Sequence, residues 1–149
     1  MQDADQSIAR LKSIQECFAL RVEQFNEFCR QLPLTAATLR KRGIEVTVAS
    51  GESGVQVHYC GFEYQLLLAV RPTRDDARYR FVRVDPNTGA LQDIASAYCS
   101  PEGVLVPVSV SDLQPIDELA LPQDTIYGPS DIIHIFSNWL LAAAEQMPD

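Results

Sequence analysis

Residues 54–71 read GVQVHYCGFEYQLLLAVR. Taken alternately, Phe62, Tyr64, Leu66, Leu68 and Val70 form one apolar face, and Leu67 and Ala69 make the opposite face apolar in the middle as well. A half-buried strand alternates strictly, whereas a strand covered on both sides reads as a near-continuous apolar run. The LLLAV run therefore predicts a strand at the centre of an antiparallel sheet with something packed on each side. Val55, Val57 and Tyr59 give the inner face of the strand before it, and Cys60-Gly61 marks a tight reversal between the two.

The pattern extends in both directions. Ile44, Val46 and Val48 alternate with Glu45, Thr47 and Ala49, which predicts a strand over 44–49 joined through the Gly51-Glu52-Ser53-Gly54 turn. Residues 72–77 read as a polar loop and 78–84 as the next strand. A symmetric hairpin would set Tyr79 and Phe81 opposite Val70 and Leu68, on the same face. Asp85-Pro86-Asn87-Thr88-Gly89 is the clearest turn in the chain. A weaker strand over 91–98, a Ser100-Pro101-Glu102-Gly103 turn and an alternating strand through Val104, Val106, Val108 and Val110 follow. Pro107 cannot donate to a ladder, so this last strand belongs at an edge.

Helices flank the strands. Residues 5–32 carry Leu11, Phe18, Val22, Phe25, Cys29 and Leu32 at helical spacing, with Ile8 and Ile14 extending the stripe. Asp5 or Ser7 suits the N-cap and Pro33 predicts the stop. At 1.5 Å per residue such a helix reaches about 42 Å, against a diameter near 38 Å for a compact chain of this size. It must cross the whole domain or project beyond it to meet a partner. A short second helix is expected over 35–42, with Thr35 as N-cap, Arg40-Lys41-Arg42 at its negative end and Gly43 as C′ residue. A final helix spans about 130–146, with Ile132, Ile135, Phe136, Trp139, Leu140 and Ala143 on one face and Ser130 and Asp131 at its start.

The expected architecture is a single α+β domain over 1–149: an antiparallel sheet of about five or six strands with a long N-terminal helix and a C-terminal helix. With both helices on one face, Leu67, Ala69, Val82 and Val84 need another cover. Residues 111–129 or a second subunit, hence a homodimer, would supply it.

Composition excludes several classes. The 149 residues are 46% hydrophobic and 21% charged, ordinary for a globular protein. The start, MQDADQ, lacks the basic and apolar regions of a secretory signal, and the longest apolar runs fall far short of the ~20 residues of a membrane span. Cys17, Cys29, Cys60 and Cys99 are widely spaced without a C-x-x-C, which reads as reduced thiols in a cytoplasmic protein. No membrane partner and no cofactor are expected.

Charge is lopsided. Residues 1–83 hold twelve bases and ten acids, whereas 84–149 hold ten acids and no base. A split of this kind points to an interaction surface. The acidic crossing 111–129, with Pro115, Pro122 and Pro129, is long for a connection, and long connections are often functional. Asp112, Asp117, Glu118, Asp124 and Asp131 are the candidate protein-binding residues, complementary to a basic partner. Arg71, Arg74, Arg78, Arg80 and Arg83 form the only stretch resembling a nucleic-acid surface. Asp75 and Asp76 interrupt it and the isoelectric point is 4.7, so these arginines are expected to pair with acids or line a solvated edge, with Tyr79 and Phe81 in the core.

Catalytic signals are thin. His58 and Cys60 share a parity on one strand and could form a thiol–imidazole pair, but two ligands do not make a metal site. His134 falls on the exposed face of the last helix. No G-x-S-x-G, P-loop, G-x-G-x-x-G or H-E-x-x-H occurs. The leading expectation is a non-catalytic interaction protein such as an inhibitor, immunity protein, adaptor or secretion chaperone. The rival is a small enzyme or ligand-binding domain with a pocket between sheet and helices.

Overall fold

A computed structural model describes residues 3–51, 54–71, 76–100, 105–109 and 132–147. Among these residues six antiparallel strands follow one another across a single sheet in chain order: β1 (Val46–Gly51), β2 (Gly54–Tyr59), β3 (Phe62–Arg71), β4 (Asp76–Val84), β5 (Leu91–Cys99) and β6 (Leu105–Ser109). Helix α1 (Ala4–Lys41) precedes the sheet and α2 (Ile132–Glu145) follows it. The α+β arrangement with one helix at each end is the expected one. The Pro107-bearing strand is indeed at an edge, with Pro107 opposite Ala97 of β5.

Both helices pack on one face. Tyr79 meets Phe25 and Phe28 of α1, with ring centroids 4.9 and 5.1 Å apart. Phe81 stacks on Tyr64 at 5.0 Å and on Trp139 of α2 at 5.4 Å. Phe28 and Trp139 join the two helices at 5.8 Å. Tyr64, Leu66, Tyr79 and Phe81 are all buried, as even spacing along two neighbouring strands requires. Such aromatic contacts add about 0.5–1.5 kcal/mol each beyond the area they bury.

The break expected at Pro33 does not occur: α1 runs 38 residues through it. Proline removes one backbone donor and crowds the preceding turn. The apolar stripe nonetheless continues without change of phase through Phe28, Cys29, Leu32, Ala36 and Leu39, all buried. Tertiary burial on both sides of the proline outweighs the local cost. Thr35 is no N-cap; its hydroxyl donates to the Gln31 carbonyl inside the helix. The cap is Asp3, two residues before Asp5, and it accepts from the Gln6 amide at 2.9 Å. The expected end is correct. Gly43 has φ +88°, its N–H bonds the Arg40 carbonyl and the Ile44 N–H bonds the Leu39 carbonyl, which closes a Schellman motif.

Register also differs from expectation. Tyr79 lies opposite Leu68 and Phe81 opposite Leu66, two residues earlier on β3, because β4 begins at Asp76 and takes up part of the expected loop. A two-residue slip preserves the face, so the core assignment survives. Strand β1 starts at Val46 rather than Ile44, since Ile44 closes the helix cap. The Cys60-Gly61 reversal is a two-residue turn with positive φ at both positions, 51° and 83°. The second face of LLLAV is only partly covered: Leu67 is half-buried and Ala69 exposed, whereas Val82 is fully buried. The 111–129 crossing, Ser130 and the Ser100–Gly103 turn beyond Ser100 lie outside the described residues.

Candidate functional site

The five acids proposed as a docking surface, Asp112, Asp117, Glu118, Asp124 and Asp131, all lie outside the described residues. Of the ten acids in the second half, Asp85, Asp93 and Glu145 are described. Asp85 turns inward on its own loop, where Oδ1 accepts from the Asn87 and Thr88 amides at 2.8 and 3.2 Å. Glu145 is exposed at the end of α2. Asp93 accepts two hydrogen bonds from Arg80, at 3.0 and 2.8 Å, on the sheet face away from the helices.

The arginine cluster divides by strand parity. Arg80 takes the outer face and pairs with an acid, as expected. Arg83, three residues on, faces inward with Tyr79 and Phe81 and is 8% exposed. Its Nη2 donates to Gln92 Oε1 at 2.6 Å and to the Gln146 carbonyl at 3.0 Å, and its guanidinium carbon sits 5.4 Å from the centre of the Phe62 ring. Alternation along 79, 81 and 83 was the available sign that Arg83 belongs inside. The reading of all these arginines as one patch hid it.

A bulge explains why the neighbouring Asp93 does not meet Arg83. Phe81 pairs with Ala95 but Val82 pairs with Asp93, so Ile94 is passed over. The extra residue reverses the parity of β5 beyond it. Gln92 therefore joins the inner face opposite Arg83, while Asp93 swings to the outer face and Arg80. The carbonyl of Ile94 is taken by the Gln146 side chain at 3.1 Å. Arg83 and Ile94 together tie down the end of α2, where the helix dipole favours a cation.

A second buried arginine lies on α1. Arg21 is fully buried, and its Nη1 donates to Gln24 Oε1 at 2.9 Å and to the Ser100 carbonyl. It is the first buried residue of α1. Before it, the helix carries apolar side chains in the open: Ile8 is 51% exposed, Leu11 64%, Phe18 49% and Leu20 48%. Leu11, Ile14 and Phe18 continue the stripe that Phe25, Phe28 and Leu32 bury against the sheet. At 1.5 Å per residue the whole helix measures about 57 Å, well beyond the diameter of a compact chain of this length.

His58 and Cys60 are both exposed and form no dyad on one strand, since Cys60 belongs to the turn rather than to β2. They line an open recess of about 470 Å³ with Arg40, Glu45, Thr47 and Tyr59. His134 is exposed and its ring nitrogen lies 3.3 Å from the Asn138 amide. Cys29 and Cys99 are buried thiols. Burial pushes Cys29 up to about 12. It also pushes Cys99 up, although Tyr79 and Arg21 pull it partly back. Neither is a nucleophile near neutral pH. Among the described residues, no group of three or more His, Cys, Asp or Glu side chains is placed to hold a metal ion, and no helix is long and apolar enough to cross a membrane.

No protein-family model matches the chain, no curated protein matches it in sequence, and no solved structure matches its fold.

Proposed function

We propose that this chain is a non-catalytic interaction protein that docks a protein partner on the first half of α1, with the base-free acidic segment 84–149 steering a basic partner to it. The observation that carries this reading is the exposure of Leu11 and Phe18 on a stripe that serves as core further along the same helix. A surface helix rarely maintains its apolar period for several turns past its last buried residue unless something covers it. Charge complementarity would raise the association rate and set the choice of partner. An inhibitor, immunity protein, adaptor or secretion chaperone would each work in this way.

The test is capture from cell lysate on the immobilised full chain at about 50 mM and about 500 mM salt, where screening differs severalfold. The proposal expects a protein retained at low salt and weakened at high salt. No retained protein, or retention indifferent to salt, would refute electrostatic docking. Light scattering on the purified chain tests the other occupant, a second copy, which would appear as a doubled mass.

The rival reading, an enzyme or ligand module with its pocket between sheet and helices, gains little support. The recess at His58 and Cys60 is open and lies at the paired ends of β1 and β2, bounded by Arg40 and the Cys60-Gly61 turn, rather than between the sheet and both helices.

A further inference from the structure

Arg83 holds a buried charge with no counter-charge among the described residues. The burial of an ion costs several kcal/mol unless its partners compensate. Two neutral oxygens, from Gln92 and Gln146, compensate through Nη2, and the end of α2 contributes a partial negative charge. Nη1 is buried and has no hydrogen-bond partner. Opposite Arg83 in register stands Tyr64, whose buried hydroxyl also makes no hydrogen bond of good geometry; burial pushes this phenol up and the Arg83 guanidinium beside it pulls it partly back. Among the described residues, no ion pair reaches this guanidinium.

Beside it is a recess of about 340 Å³, lined by Phe62, Arg83, Val84, Pro86, Leu91 and Gln92, with Asp85 and Ala90 completing the wall. Its composition is that of a small-ligand site: apolar walls with one cation and one amide to fix orientation. The recess lies at the end of β4 and the start of β5, the opposite end of those strands from the Arg21 anchor beside Cys99. Leu91 is half-exposed at its mouth. The β-bulge keeps Asp93 out, so the sequence supplies a neutral partner where a carboxylate would have closed the site.

We propose that this recess binds a carboxylate carried on an apolar group, with Arg83 and Gln92 holding the carboxylate and Phe62, Val84, Pro86 and Leu91 enclosing the apolar body. The carboxylate takes over the Nη2 hydrogen now given to Gln92 Oε1 and accepts from the Gln92 amide, which replaces a neutral acceptor by a charged one. Asp85 opposes the ligand by its charge, although Oδ1 is spent on its own loop amides. This site is independent of docking on α1, and either can fail without the other.

The test is titration of the ¹⁵N-labelled full chain with 4-phenylbutyrate and, separately, with its neutral amide. The expected result is a saturable shift confined to the amides of Phe62, Val84, Leu91 and Gln92, with the acid bound about tenfold more tightly than the amide. Asp85→Asn, which preserves the loop hydrogen bonds, should tighten the acid severalfold and leave the amide unchanged. Arg83→Gln should abolish the preference for the acid. If that variant does not fold, the acid–amide comparison on the wild-type chain and on Asp85→Asn still decides. A third probe, a hexapeptide ending in leucine with a free or amidated C-terminus, separates the two sources of such a carboxylate. Selective binding of the free-acid peptide assigns the site to a protein C-terminus, and selective binding of phenylbutyrate alone assigns it to a small acid. Equal binding of acid and amide, shifts located elsewhere, or no binding by any probe would overturn the proposal.

Discussion

Arg21 of α1 donates to the main-chain carbonyl of Ser100, just beyond the end of β5, and is fully buried in doing so. Seventy-nine positions separate the two residues, and the bond fixes where the helix stops being a surface element and becomes core. Before it Ile8, Leu11 and Phe18 stand exposed, and after it Phe28, Cys29, Leu32, Ala36 and Leu39 join the core.

Replacement of Arg21 should therefore act on both stability and geometry. Arg21→Ala removes the guanidinium's hydrogen bond to the Ser100 carbonyl and opens a void beside Cys99 and Gln24. The expected loss is about 3 kcal/mol, or roughly 8 °C in melting temperature for a chain of this size. Amide exchange should accelerate chiefly over residues 4–24. A melting temperature within about 2 °C of wild type would show that the bond anchors nothing.

Pro33 offers the opposite sign. Within a continuous helix a proline costs about 3 kcal/mol relative to alanine. Pro33→Ala restores a donor without removing any buried side chain, so unfolding by urea should show a gain of about 1–3 kcal/mol. A break at Pro33 would make the same substitution neutral or destabilising.

The proline also shows where reading the sequence succeeds and fails. Strand periodicity, the Cys60-Gly61 and Asp85–Gly89 turns, the Gly43 cap, the Pro107 edge and the buried face of α2 are local signals, and the fold respects them, whereas the stripe of α1 is buried at Phe28, Cys29 and Leu32 but exposed at Ile8, Leu11 and Phe18. Pro33 is a local signal too, but Leu32, Ala36 and Leu39 draw their burial from partners far along the chain, and that burial wins. The β3–β4 register shifted because Asp76 and Ala77 extend a strand into what composition marks as loop. The site at Arg83 was half legible. Alternation places it with Tyr79 and Phe81, but only the bulge at Ile94 and the contact with Gln146, sixty-three positions away, decide that it meets amides instead of Asp93. No short stretch of sequence contains that information.

The β2–β3 turn is a place where the sequence is not optimal. Cys60 has φ +51°, a conformation that asparagine or glycine tolerates better. Cys60→Asn should stabilise by about 0.5 kcal/mol and remove one exposed thiol from the count titrated by an aromatic disulfide reagent. Gly61→Ala should cost about 1 kcal/mol through the backbone alone, since an added Cβ meets nothing within 4 Å. A gain from Gly61→Ala would contradict the turn geometry.

Stability should fall at alkaline pH. Burial raises Cys29 to about 12 in the folded chain, and raises Cys99 and the Tyr79 phenol as well. On unfolding, Cys29 returns toward its ordinary value near 9, so the unfolded state releases its proton first as pH rises. Its contribution is complete below about pH 9 and is lost progressively up to about pH 12. Urea midpoints measured across this window should decline, and Cys29→Ala should flatten the slope. A midpoint rising with pH would reverse the assigned sign.

The central claim is that the first half of α1 is a docking surface, and substitution of two of its exposed stripe residues tests it most directly. Leu11→Glu with Phe18→Glu in one chain changes no buried side chain, so far-ultraviolet circular dichroism and the urea midpoint should match wild type. Quantitative capture from lysate at about 50 mM salt, with the retained proteins identified by mass, should show the wild-type partner lost from the double variant. An identical set of proteins retained in equal amount by both chains would contradict the account.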